Sequence, residues 1–82
     1  MTDKQTPRIL IVEDEVASLN LLASYFEKEN YVVYKASNGD DVEKLLNQHT
    51  VDVILLDINL PGKDGLALTR EIRAKSDVGI VL

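Results

Sequence analysis

The chain has 82 residues, of which 45% are hydrophobic and 28% charged, and these values are typical of one small globular domain. It contains no cysteine, which excludes disulfide bonds and thiolate metal sites and fits a reducing compartment. The formal net charge of -5 argues against a nucleic-acid-binding surface, and no apolar run resembles a signal peptide or a membrane span. We therefore expect a cytoplasmic protein.

The first third of the chain predicts a strand followed by a helix. Residues 1–7 are polar and indicate a flexible lead. The apolar, largely β-branched run from Ile9 to Val12 is typical of a strand buried on both faces. From Val16 to Glu29 the apolar residues recur at helical spacing, at Leu19, Leu22, Ala23 and Phe26.

The rest of the chain continues the alternation of strands and helices. Residues 31–36, 51–57 and 78–82 predict three further strands. The Asn-Gly pair after the second strand is compatible with a hairpin, but the following apolar spacing favours a helix, with Asp40 and Glu43 as a capping box. A third helix is predicted over Gly65–Lys75, with Asp64 as its cap.

Four strands separated by three helices predict an α/β fold with a doubly wound parallel sheet. We expect residues 8–82 to form one domain in which strand and helix alternate from a first strand to a fourth. No helix follows the fourth strand in this sequence, so we expect an incomplete domain or one completed by a partner chain. The uncovered edge of that strand predicts self-association.

Acidic residues follow two of the predicted strands. Glu13 and Asp14 end the first strand, and Asp57 ends the third. If these strands are neighbours, the three carboxylates converge at the carboxyl edge of the sheet, where parallel α/β proteins bind ligands. An all-oxygen cluster favours a hard cation such as Mg²⁺. The alternative for Glu13 and Asp14 is a role as helix N-caps.

A metal at this edge suggests phosphate chemistry for Asp57. A carboxylate can act as a nucleophile and form an acyl phosphate, while the metal offsets the charge of the incoming phosphoryl group. Glu13 and Asp14 would hold the metal directly or through water, and the backbone oxygen of Asn59 is a further candidate ligand.

The combination of "ILIVEDE" and "VILLDINLPGKDG" resembles the receiver (CheY-like) domain of bacterial response regulators. The segments "DINLPG" and "LTREIRAKSDVGIVL" are most similar to OmpR/PhoB-type regulators, in particular those controlling trimethylamine-N-oxide respiration and aerobic respiration. The resemblance implies a flavodoxin-like fold with strand order 2-1-3-4-5, of which this chain holds four strands.

The resemblance also implies a role for each matching residue. Asp57 would accept a phosphoryl group from the phosphohistidine of a sensor kinase, and Glu13 and Asp14 would be the Mg²⁺ pair. Asn59 would supply its main-chain oxygen, and Pro61 and Gly65 would shape the loop. The Ser/Thr after the fourth strand and the Lys after the fifth, which the family uses to read out phosphorylation, have no counterpart in this sequence. The dimerisation surface and a DNA-binding domain also have none.

Outside the acidic cluster, three further sets of residues are open to interpretation. Along the first helix, Leu21, Leu22 and Tyr25 form a second apolar stripe, which is explained either by packing or by kinase docking through Glu15, Ser18 and Leu21. His49 is predicted to be a surface residue at a helix end. The basic residues of the third helix region predict a solvated face, with Lys63 a candidate phosphate contact: Lys63, Arg70, Arg73 and Lys75.

The function predicted from these residues is that of a self-phosphorylating phosphoacceptor controlling transcription, and not a turnover enzyme. One alternative is a Mg²⁺-dependent phosphohydrolase with Asp57 as nucleophile. The haloacid-dehalogenase type of such enzymes needs an acid two residues later, where this chain has Asn59. The other alternative is an interaction module that works without phosphorylation.

Overall fold

A computed structural model describes residues 6–57, 65–75 and 78–81. Strands and helices alternate along the chain, as the sequence predicts. The strands are β1 (Arg8–Val12), β2 (Val32–Ala36), β3 (Val53–Leu56) and β4 (Gly79–Val81), and the helices are α1 (Val16–Lys28), α2 (Gly39–Gln48) and α3 (Gly65–Lys75).

The four strands form one parallel sheet in the order β2-β1-β3-β4. This order confirms the doubly wound topology predicted for these strands. The chain runs from β1 to β2 on one side and then returns to β3 on the other side of β1, so the topological switch point lies between β1 and β3. In the register of the sheet, Val12 is level with Ala36 on one side and with Leu56 on the other. The residues that follow β1 and β3 therefore leave the sheet side by side.

The two faces of the sheet are covered by different helices. Successive side chains of a strand point to opposite faces, so Leu10 and Val12 pack with α2 and α3 while Ile9 and Ile11 pack with α1. All four of these side chains are buried, which confirms that β1 is a strand covered on both sides. The helices contribute buried residues to these two cores, namely Val42, Leu68 and Ile72 to the first and Leu19 and Ala23 to the second.

The helix boundaries agree with the predicted ones to within a few residues, but the cap of α2 does not. The side chain of Asn38 accepts a hydrogen bond from the backbone N–H of Asp41 at 2.9 Å, and the helix begins at Gly39. The predicted capping box of Asp40 and Glu43 is therefore wrong, because the Asn-Gly pair itself starts the helix. The predicted cap of α3, Asp64, lies outside the described residues.

The chain before β1 contributes a contact to the sheet. Of the predicted flexible lead, residues 1–5 lie outside the described part of the chain, whereas the carbonyl of Pro7 accepts a hydrogen bond from Val32 at 2.9 Å.

None of the helices in the described ranges is long and apolar enough to cross a membrane.

Candidate functional site

The backbone at the carboxyl edge of the sheet continues the strand ladder beyond β1 and β3. The N–H of Glu13 donates to the carbonyl of Ala36 at 3.0 Å, and the N–H of Asp57 donates to the carbonyl of Val12 at 3.0 Å. These two bonds tie the first residue after each strand to the neighbouring strand. The positions of Glu13 and Asp57 are therefore determined by the sheet and not by loop conformation.

Three carboxylates meet at this edge, as the sequence predicts for neighbouring first and third strands. Glu13, Asp14 and Asp57, here called the acidic trio, each place one oxygen within 4.8 Å of the others. Glu13 and Asp57 are half-buried, and Asp14 is exposed. The trio is thus open to solvent on one side, which leaves room for water molecules and for an incoming group.

The electrostatics of the trio disfavour three negative charges at once. Partial burial raises the pKa of Glu13 above its usual value, and the nearby charges of Asp57 and Asp14 raise it further. The backbone N–H of Glu15, which donates to Glu13 Oε2 at 3.3 Å, lowers the pKa of Glu13 and opposes the effect of burial. A proton or a cation bound at the trio would relieve the repulsion.

The alternative explanation of Glu13 and Asp14 as helix caps is wrong. The N-cap position of α1 is occupied by Glu15, which makes no capping hydrogen bond with its side chain. Its Oε1 instead accepts a hydrogen bond from the hydroxyl of Ser18 at 2.7 Å. The two acidic residues before it are therefore available for a role at the sheet edge.

The donor set of the trio fits Mg²⁺. It offers three carboxylate oxygens, with no nitrogen or sulfur ligand among them, and hard divalent cations prefer oxygen. The open side suits Mg²⁺ in particular, since this ion usually keeps several of its waters. Two residues predicted to complete the site, Asn59 and Pro61, lie outside the described residues, as does Lys63. Gly65 is the first residue of α3.

The predicted docking residues lie on the solvent side of α1, close to the trio in sequence. Glu15 is exposed and Ser18 is half-buried, while Leu21 is 73% exposed. Two apolar side chains on the same helix extend this surface, Val16 at 63% and Tyr25 at 58% exposure. Packing explains Leu22 of the second stripe, which is half-buried against the core beneath α1, and in part Tyr25, whose ring packs edge-to-face on Phe26. Val16 was not predicted to belong to this surface, because it precedes Leu19, the first residue of the apolar repeat of α1.

Of two predictions at the periphery, that for His49 is confirmed and that for the basic face is confirmed at Arg70 and Arg73, since the side chains of Lys63 and Lys75 lie outside the described part of the structure. His49 is exposed at the C-cap of α2, and its ring stacks on Tyr34 with the centroids 4.3 Å apart. Arg70 and Arg73 are exposed, as predicted, but Arg73 is also held in place, because its Nη1 donates to the carbonyl of Val78 at 2.6 Å.

Sequence comparison identifies relatives over nearly the whole chain. The family model of the response regulator receiver domain matches residues 9–82. The aerobic respiration control protein ArcA of Escherichia coli K12 is 46% identical over 77 residues, which are 94% of this chain and 32% of ArcA. The chain thus spans about a third of the length of this curated relative.

Solved structures agree with the sequence comparison. The receiver domain of TorR, the response regulator of the TMAO respiratory system, is 46% identical and superimposes with a TM-score of 0.85 over 90% of this chain and 62% of that one. The response regulator TrrA of Thermotoga maritima, in complex with Mg²⁺ and BeF, is 37% identical, with a TM-score of 0.87 over 94% of this chain and 68% of TrrA. TrrA has also been solved in complex with the histidine kinase ThkA, and that structure matches with a TM-score of 0.85 over 92% of this chain and 66% of TrrA.

Proposed function

Because the chain belongs to the response regulator receiver domain family, we propose that Asp57 is its phosphoacceptor in a two-component signalling pathway. The phosphoryl donor is the phosphohistidine of a sensor histidine kinase, and the reaction depends on Mg²⁺. The chain is not a turnover enzyme, because it modifies its own side chain. The single observation that supports this proposal best is the acidic trio at the switch point of the sheet.

The chemistry assigns different roles to the members of the trio. A carboxylate oxygen of Asp57 attacks the phosphorus, the bond from phosphorus to the histidine nitrogen breaks, and an acyl phosphate forms while the imidazole leaves. Glu13 and Asp14 hold Mg²⁺ together with Asp57 and, through its main-chain oxygen, Asn59. The bound ion supplies positive charge that offsets the phosphoryl oxygens.

The position of Asp57 is compatible with the role of nucleophile. Its backbone is fixed by the hydrogen bond to Val12, and one of its carboxylate oxygens lies within 4.8 Å of an oxygen from each of Glu13 and Asp14. The TrrA complex with Mg²⁺ and BeF supports metal-dependent chemistry in a relative of the same fold. Pro61, four residues after Asp57, and Gly65, the first residue of α3, would set the path of the chain from Asp57 into α3.

The proposal for the whole protein is control of transcription in the cytoplasm. The curated relatives are about three times as long as this chain, and ArcA is named as an aerobic respiration control protein. DNA would be bound through a further domain, since the net charge of this chain is -5. The complex of TrrA with ThkA supports a histidine kinase as the partner, with Glu15, Ser18 and Leu21 as the docking residues.

The proposed function is tested by phosphoryl uptake from a small acyl phosphate. With Mg²⁺, intact-mass spectrometry should show one added phosphoryl group on the protein, and the Asp57→Asn variant should take up none. The matched control is Asp40→Asn, which removes one exposed carboxylate from the first turn of α2 and should leave the uptake unchanged. Undiminished uptake in Asp57→Asn would contradict the proposal, and uptake that persists in EDTA would contradict the role of the metal.

Self-association through β4 is a separate proposal. Within the described part of the chain β4 pairs with β3 alone, and Val81 on β4 is 53% exposed. An edge strand of this kind can pair with a second chain. Sedimentation velocity of this 82-residue chain should show association that increases with concentration, and a single monomer boundary at high concentration would contradict the proposal.

A further inference from the structure

The Asn-Gly pair at the start of α2 has a chemical reactivity that is separate from its role in capping the helix. Among the asparagines of the sequence, Asn38 alone is followed by glycine. Because Gly39 has no Cβ, its backbone nitrogen can approach the side chain of the preceding residue with little hindrance. Attack of that nitrogen on the side-chain amide releases ammonia, so this pair is a candidate for spontaneous deamidation.

The structure leaves the reacting groups of this pair accessible. The side chain of Asn38 is exposed, because the residue lies at the N-cap and not within the helix. Gly39 is buried, but its N–H belongs to the first turn of α2, where backbone N–H groups have no carbonyl partner within the helix. Attack by this nitrogen therefore breaks no hydrogen bond of the helix.

Two features of the capped conformation oppose the attack. Oδ1 of Asn38 accepts a hydrogen bond from the backbone N–H of Asp41 at 2.9 Å, which holds the side-chain amide in place. The ψ angle of Asn38 is 172°, so the backbone is extended there, whereas ring closure requires Cγ and the nitrogen of Gly39 to lie on the same side of the Cα–C bond. The reaction therefore requires that the cap bond break and that this backbone bond rotate.

We propose that Asn38 is a site of spontaneous deamidation and that opening of the first turn of α2 controls its rate. The nitrogen of Gly39 attacks Cγ of Asn38, the bond from Cγ to Nδ2 breaks, and the amide group leaves as ammonia with the proton that the Gly39 nitrogen gives up. The cyclic imide then takes up one water molecule at either of its two carbonyls. The product at this position is aspartate or isoaspartate.

The two products differ in their effect on α2. Aspartate keeps a side-chain acceptor at the N-cap, whereas isoaspartate inserts a methylene into the main chain and displaces the acceptor from the N–H of Asp41. Both products add one negative charge. The modified residue lies two positions after Ala36, whose carbonyl accepts a hydrogen bond from the N–H of Glu13 at 3.0 Å. Deamidation therefore changes the charge at the edge of the sheet that carries the acidic trio.

The proposal is tested by incubating the intact protein in mildly alkaline buffer, with and without urea, and by peptide mapping with mass spectrometry. The readout is the mass increase that accompanies exchange of NH₂ for OH. In the native protein, conversion should appear at Asn38 before it appears at any other asparagine. It should be at least about fivefold slower than in urea, which is the scale of a lost N-cap.

Three outcomes of this experiment would overturn the proposal. They are equal rates with and without urea, no conversion of the native protein after conversion in urea is complete, and conversion at Asn20, Asn30 or Asn47 as fast as at Asn38. The variant Gly39→Ala adds a Cβ beside the attacking nitrogen and should suppress conversion in urea, where the fold has no influence. Undiminished conversion of Gly39→Ala in urea would contradict the cyclic imide.

A packing variant tests whether α2 controls the rate. Val42 is fully buried beneath the first turn of α2, so Val42→Ala should favour local opening and accelerate deamidation of the native protein. The control Leu19→Ala shortens a larger buried side chain of α1 on the other face of the sheet and should accelerate it much less. With both variants shown to be folded by circular dichroism, equal acceleration would assign control to global unfolding and overturn the role of α2. None of these readouts depends on Mg²⁺ or on phosphorylation of Asp57.

Discussion

Replacing Asp57 by Asn should stabilise the metal-free protein while removing its response to Mg²⁺. A carboxylate oxygen of Asp57 lies within 4.8 Å of an oxygen from each of Glu13 and Asp14. At that separation two unit charges repel by about 0.9 kcal/mol in water and by about 3.5 kcal/mol at an effective dielectric constant of 20. Since the trio is open to solvent, the value for water is the better guide for each pair.

Loss of the charge of Asp57 removes two of the three repulsive pairs. We therefore expect Asp57→Asn to raise the free energy of unfolding in EDTA by about 1 to 2 kcal/mol at low salt. In the wild type, Mg²⁺ at ten times its dissociation constant should add about 1.4 kcal/mol, because the ion binds the folded state. The variant should gain much less, since it has lost a ligand.

Urea unfolding followed by circular dichroism, with EDTA and with MgCl₂, measures both quantities. The control Asp40→Asn leaves the trio intact and should respond to Mg²⁺ as the wild type does. The reasoning would be refuted if Asp57→Asn were no more stable than the wild type in EDTA. It would also be refuted if the variant gained as much from Mg²⁺ as the wild type.

Three further predictions concern the surroundings of the site. The raised pKa of Glu13 means that its carboxyl group binds a proton more tightly in the folded state than in the unfolded state. The protonated Glu13 therefore contributes stability below the ordinary pKa of 4.5, and this contribution is lost as the pH rises through the raised pKa. In metal-free urea titrations, the free energy of unfolding of Glu13→Gln minus that of the wild type should therefore increase as the pH rises from 4 to 7. A difference that stays constant over this range would contradict the assignment. Asn38→Ala should lower the free energy of unfolding by about 1 kcal/mol, because α2 loses its side-chain cap. Asn38→Asp keeps a side-chain acceptor and should not lower it. An equal fall in the free energy of unfolding of both variants would exclude capping as the cause. Leu21→Ala should slow phosphotransfer from the kinase about tenfold, which corresponds to ~1.4 kcal/mol, because it shortens an exposed docking side chain. It should leave the rate of uptake from a small acyl phosphate unchanged. A parallel fall in both rates would place the effect at the acidic trio and not in docking.

The sheet and the acidic trio could be predicted because both follow from strong local signals. A short run such as Ile9–Val12 is buried on both faces, and strands of this kind separated by helices form parallel sheets with a known ligand-binding edge. The convergence of Glu13, Asp14 and Asp57 required only that the first and third strands be neighbours. The resemblance to receiver domains supplied the strand order, in which the first and third strands are neighbours.

The contacts that were not predicted depend on the path of the backbone and on side-chain conformation. The stack of His49 on Tyr34 joins the end of α2 to β2, and no sequence spacing encodes that contact. The bond from Arg73 to the carbonyl of Val78 joins residues only five positions apart, but it depends on the conformation of the Arg73 side chain, which the sequence pattern does not specify. The cap of α2 was misplaced for a different reason, since Asn38 and Asp40 are both good capping residues and only the backbone path decides between them.

The central position of β1 determines when the site can form during folding. Pairing of β1 with β2 closes a chain loop that contains only α1, whereas pairing with β3 closes one nearly twice as long. Each doubling of a loop costs about 0.6 kcal/mol in chain entropy, so the first pairing is favoured to precede the second. Asp57 reaches Glu13 only with the second pairing. Metal affinity should therefore appear late in refolding, and Mg²⁺ should slow unfolding more than it accelerates folding.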